Sequence, residues 1–126
     1  LSMDLPFHKI GIAHLTTHLV YPKNDFTVVL NSIPDAEYKR LFAKAAELGA
    51  GIELNAGDWG VEDHTPEQLQ ATRRVFGIAK DQGCKFYLGS DAHHPEWFLQ
   101  APAIFESAVQ SLGLCENDKF RPLLNN

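Results

Sequence analysis

The apolar residues of the chain repeat one plan three times: a run at helical spacing with a clear stop, joined to a short apolar strand. From Asp35, the residues Tyr38, Leu41, Phe42, Ala45 and Leu48 recur every three or four positions, which aligns them along one helical face. Gly49 follows where a glycine commonly closes a helix. A second helix is predicted from Thr65-Pro66-Glu67-Gln68, with Thr as N-cap, Pro at the first helical position and Gln completing a capping box. Its face is Leu69, Thr72, Val75, Phe76 and Ala79, and Gly83 is its stop. A third helix is predicted from Pro102 to Leu112 on Ile104, Phe105, Ala108, Val109 and Leu112, ended by Gly113.

The predicted strands are Lys9 to Ala13, leading to His14, then Gly51 to Asn55, then Lys85 to Gly89. The stretch from His14 to Pro34 is irregular, and its short apolar run Phe26 to Leu30 is read as non-strand. Alternating strands and helices predict an α/β fold with parallel strands and outer helices, in a single domain over residues 1–126. In the two later strands Ile52, Leu54, Phe86 and Leu88 share one parity, while Gly51, Glu53, Asn55, Tyr87, Gly89 and Asp91 share the other. Alternation sends these sets to opposite faces. In a barrel the first set would meet the helices, and the second would converge on the mouth at the C-terminal strand ends.

With 44% hydrophobic residues in 126, the chain can bury one ordinary core. It has no apolar run of membrane-spanning length and no signal-peptide pattern at its start, so a soluble, cytoplasmic protein without membrane contact is expected. A formal charge of −5 with scattered Lys and Arg argues against general nucleic-acid binding, although bound cations can still bring phosphate to an acidic chain. Cys84 and Cys115 form no C-x-x-C motif and are expected as free, buried thiols.

Gly89-Ser90-Asp91-Ala92-His93-His94-Pro95 carries the strongest chemical signal. A carboxylate and an imidazole two apart, leaving a strand end, suit Zn²⁺, Mn²⁺ or Fe²⁺, whose bound water becomes a nucleophile near neutral pH. The plain alternative is a polar turn in which Asp91 caps the following segment. His14, after Ile10-Gly11-Ile12-Ala13, is the second candidate ligand. His14 and His18 have the spacing of a zinc-protease motif, but Leu15 replaces the required Glu and the segment follows a strand, so that activity is rejected. Glu53 and Asn55 are candidates to orient a ligand or substrate, and equally to form a structural hydrogen-bond network. Asp58, Trp59, Glu62, Asp63 and His64 are read as a solvated loop bordering the site, Trp97 and Phe98 as a packed base beside it, and His8 and His94 as surface residues.

In order, Ile12-Ala13-His14, Gly51-Ile52-Glu53-Leu54-Asn55 and Leu88-Gly89-Ser90-Asp91-Ala92-His93 resemble the later motifs of the polymerase and histidinol phosphatase (PHP) family. The family's G-S-D-A-H element is matched in full, and Leu112 to Asp118 resembles the closing helix end and tail. The resemblance implies the C-terminal portion of a distorted, TIM-like (β/α) barrel whose mouth holds up to three divalent ions and hydrolyses phosphate esters. It implies His14, Asp91 and His93 as metal ligands; Glu53, Asn55 and His18 are, apart from the resemblance, the candidates to face a small phosphorylated substrate. The family's early His-x-His, further histidines and bridging Glu have no counterpart, and Leu15 stands where the family often has Pro. The chain by itself is therefore expected to be inactive, the alternative being a non-catalytic binding or scaffold domain. Half a barrel exposes sheet edges, so a homo-oligomer covering them is a further expectation.

Overall fold

A computed structural model describes residues 4–16 and 25–122 of the chain. Three parallel strands, β1 (Gly11–Ile12), β2 (Gly51–Asn55) and β3 (Lys85–Gly89), form one sheet in the order β1-β2-β3. Between and after them lie α1 (Asp25–Ser32), α2 (Asp35–Leu48), α3 (Pro66–Asp81) and α4 (Pro95–Leu112). Parallel neighbours need crossovers, and these helices provide them. The mixed α/β architecture with parallel strands agrees with the sequence reading.

The register sets Ile52 beside Phe86, and Glu53 beside Tyr87, as the predicted parities require, but Leu88, expected against the helices, is 52% exposed. Ile52, Leu54 and Phe86 join Phe42, Ala45, Val75, Phe76, Ala79 and Leu112 in the core. Phe76 is its centre, fully enclosed between the rings of Trp59 and Phe86 at 5.5 and 6.5 Å. The opposite face is also covered: every residue of β2 is buried. Gly11 and Gly51 explain this, because a Cβ on Gly11 would lie 2.5 Å from the Tyr87 ring and one on Gly51 2.5 Å from that of Phe120. Two missing side chains thus admit two aromatic rings, which themselves meet at 6.0 Å.

Helix ends follow the local rules. Thr65 and Gln68 make both bonds of the capping box, while Gly49 and Gly113 take the left-handed conformation that terminates α2 and α4. Arg74 fastens α3 to the α1–α2 junction, donating to the Leu30 and Ile33 carbonyls and to Asp35 while lying over the Tyr38 ring. Lys80 donates to the Leu112 and Gly113 carbonyls at the end of α4, where a cation also opposes the helix dipole.

Three expectations change. Lys9 belongs to a 3-10 turn, Phe7–Lys9, and β1 shrinks to two residues. Phe26 to Leu30 is non-strand as read, but it lies within the regular helix α1. Helix α4 begins at Pro95, with Pro102 inside it. Either proline can occupy a first turn, so the predicted start chose the wrong one, and the cost of Pro102 is one absent backbone N–H within a long helix. The extra turns carry Trp97, Phe98 and Leu99 into solvent, at 45%, 61% and 83% exposure, rather than packing Trp97 and Phe98 into a base.

Neither cysteine is in a disulfide; Cys84 is buried, whereas Cys115 is exposed in the tail, contrary to the expectation for both. Desolvation pushes the Cys84 thiol up to about 11. The folded state therefore keeps its proton where the unfolded chain would lose it, so the stability this contributes is complete below pH 9.0 and declines as pH rises toward about 11. A colourless-to-yellow thiol reagent at pH 8 should find one fast cysteine in the native protein and a second only in denaturant. Two fast thiols would contradict the burial of Cys84.

Candidate functional site

The C-terminal ends of the three strands build a polar rim around Glu53. This carboxylate is 8% exposed, and its side chain leans along β2 until Oε1 rests against Gly89, where any Cβ would overlap it. Oε2 accepts the backbone N–H of His14 at 2.9 Å and the Asn55 amide at 3.4 Å. Asn55 in turn accepts the Gly57 N–H through Oδ1 at 2.8 Å, and its Nδ2 lies 3.3 Å from His14 Nδ1. One buried carboxylate and one buried amide thereby tie the ends of β1 and β2 together and abut β3. Of the two readings of Glu53 and Asn55, the hydrogen-bond network is present.

His14 and Asp91 are the only non-glycine residues at positive φ among those described, at 55° and 49°. That conformation is unfavourable for side chains bearing a Cβ, and Asp and His are among the residues that tolerate it best. His14 holds it through the bond to Glu53. One such residue follows each outer strand, flanking β2, and both are positions singled out by the sequence.

Beyond Asp91, His93 Nδ1 is 2.7 Å from the Asp91 carbonyl oxygen. A carbonyl can only accept, so Nδ1 carries a hydrogen, and in the neutral ring Nε2 then keeps its lone pair. The Trp97 ring stands edge-on to His93 at 5.7 Å and to His94 at 5.2 Å. Asp91, Ser90 and Gly57 share the wall of a 160 Å³ cleft with Asp63 and Trp97, which joins the β3 end to the turn held by Asn55. Among the described residues, no three His, Cys, Asp or Glu side chains gather as a group able to hold one metal ion.

Family models, curated proteins and solved structures yield no match to this chain. No described helix is long and apolar enough to cross a membrane.

The rim has further members. Asp58 and Trp59 are buried, not solvated as read, and Thr16 Oγ1 donates to Asp58 Oδ2 at 2.6 Å, closing the loop after β1 onto the turn after β2. His64 sits against the Gly60 carbonyl and the Phe26 ring, a packing role, while Glu62 and Asp63 are exposed. His8 and His94 are exposed as expected, and His18 lies outside the described residues. Tyr87, on the same face as Glu53, has its phenol pushed up by burial and then by the Glu53 charge. The turn at Gly57 had a signal in the sequence, since Asn-x-Gly favours an Asn side chain closing onto the amide two residues on. The contact of Glu53 with Gly89 had none, because it depends on the register of two strands.

Proposed function

We propose that the chain is the C-terminal portion of a PHP-type barrel and that the intact protein is a metal-dependent phosphoesterase acting on a small phosphorylated substrate. The observation that carries this reading is the placement of His14 and Asp91 in left-handed backbone at the ends of the two outer strands, around the buried Glu53–Asn55 network. Backbone strain of this kind persists where the surroundings over-determine it, and it concentrates at functional sites. The exposure of Leu88, Phe98 and Leu99 beside this rim fits a surface that the rest of a barrel, or a second copy of the chain, would cover.

Asp91 and His93 suit a divalent ion: an exposed carboxylate and an imidazole whose Nε2 lone pair is free because Nδ1 donates to the Asp91 carbonyl. Bound Zn²⁺, Mn²⁺ or Fe²⁺ supplies phosphate binding and a water acidified toward hydroxide. Glu53 and Asn55 hold the rim's backbone in place. Two donors cannot hold such an ion firmly against water, so this chain alone is without activity.

The test has two arms. Purified chain with Mn²⁺ or Zn²⁺ should show no turnover of a generic phosphomonoester, whereas the longer parent, whose upstream region should encode a His-x-His strand, should carry transition ions in stoichiometric amount. Turnover by this chain that disappears in His93→Ala would overturn the reading of it as part of a site. A parent without that strand and without bound metal would leave a non-catalytic binding or scaffold domain.

A further inference from the structure

Three hydrogen bonds decide which way the Asn55 amide faces, and through it which nitrogen of His14 carries a proton. The Gly57 N–H needs an acceptor, so the Asn55 atom at 2.8 Å from it is Oδ1. The other end is then the NH₂ group, and its position against Glu53 Oε2 gives one hydrogen an acceptor whether the carboxyl is charged or not. The remaining amide hydrogen points at His14 Nδ1, 3.3 Å away. A donor opposite Nδ1 requires that nitrogen to present its lone pair. In the neutral ring the hydrogen then sits on Nε2.

His93 is held the other way. Its Nδ1 meets a carbonyl, which forces the hydrogen onto Nδ1 and leaves Nε2 bare. The two rim histidines are thus set in opposite tautomers by neighbours of opposite character, an amide NH₂ for one and a carbonyl for the other.

We propose that His14 acts as a neutral Nε2–H donor toward an anionic oxygen of a ligand, and not as a metal ligand. An imidazole bound to an ion through Nε2 places its hydrogen on Nδ1, where it would confront the Asn55 NH₂, donor against donor. Turning the ring over would replace Nδ1 by a C–H and forfeit the Asn55 bond. Asn55 is 1% exposed and bonded at both ends, so it has little freedom to give way. Nε2 of His14 has no bonding partner among the described residues, so a donor is left on offer at the rim. A phosphoryl or carboxylate oxygen is the chemistry that accepts it. The tautomer stands independently of the proposed function; the identity of the anion as a phosphate ester rests on that reading.

The experiment is nitrogen-detected correlation NMR on chain labelled with ¹⁵N-histidine, at about pH 9, where imidazoles are neutral. His14 is expected as the Nε2–H form and His93 as the Nδ1–H form. His14 found as Nδ1–H would overturn the proposal outright, with no variant needed. Asn55→Asp turns the facing group into an acceptor, so in folded variant the His14 hydrogen should move to Nδ1; retention on Nε2 would show that Asn55 does not set it. Titrated Zn²⁺ should leave His14 Nε2 unmoved, and a coordination shift there would also overturn the proposal. Excess inorganic phosphate should shift His14 Nε2, and no shift would remove the donor role. A failure of His93 to respond to Zn²⁺ would count against the metal reading alone.

Discussion

Phe76→Ala should cost the protein about 3–5 kcal/mol, enough to consume much of the roughly 5–15 kcal/mol that separates a domain of ordinary stability from its unfolded chain. Phe76 is wholly enclosed, and its ring is the contact through which α3 meets both Trp59 after β2 and Phe86 on β3. Truncation removes the transfer energy of the ring and leaves a cavity among residues that belong to three different elements. Those elements cannot all close on it at once, so relaxation recovers little. Urea unfolding followed by circular dichroism should give a midpoint far below that of the parent chain, or a variant already unfolded without denaturant. A loss under about 1 kcal/mol would mean that Phe76 is not the centre of the core.

The second large effect concerns a single added methyl group. Gly89→Ala should destabilise by about 2 kcal/mol, because the new Cβ would overlap the Glu53 carboxyl, which cannot retreat without abandoning the His14 N–H and the Asn55 amide. The same substitution at Gly77, inside α3 with nothing within 4 Å of the new carbon, should instead stabilise by about 0.5–1 kcal/mol through helix propensity. Chemically identical changes with opposite signs separate the rim's close packing from generic backbone effects. If thermal melts showed both variants stabilised, the placement of Glu53 against Gly89 would be wrong.

The parts of this fold readable in advance are those written in short-range code. Strands β2 and β3 run over the predicted residues, Gly51–Asn55 and Lys85–Gly89, because each is an apolar alternation bounded by a glycine stop and a polar end. The capping box at Thr65 and the left-handed Gly49 and Gly113 are equally local. Where two local signals compete, as Pro95 and Pro102 do for the start of α4, the burial pattern does not separate them, because the first stretch of the helix is exposed. Trp59 and Asp58 were misjudged for a related reason. They follow a strand in a polar-looking segment, but a turn pinned by Asn55 and by Thr16 folds them inward.

The rim was partly legible. His14, Glu53, Asn55 and Asp91 could be singled out from parity and strand ends, and the first three do form one network. What the residues alone could not disclose is direction: which oxygen of Glu53 is used, which end of Asn55 faces outward, and so which nitrogen of each histidine is available. The contacts of His14 with Glu53 and Asn55 span 39 and 41 residues of chain, while the orientation of Asn55 and the hydrogen on His93 follow from neighbours two residues away whose geometry depends on the fold. Those choices settle chemical role more firmly than the residue types do.

The paired glycines of β1 and β2 have a consequence for which substitutions the sheet tolerates. The Tyr87 and Phe120 rings are seated in the space those residues vacate and meet each other there. Neither glycine can gain a side chain unless the ring seated against it moves as well.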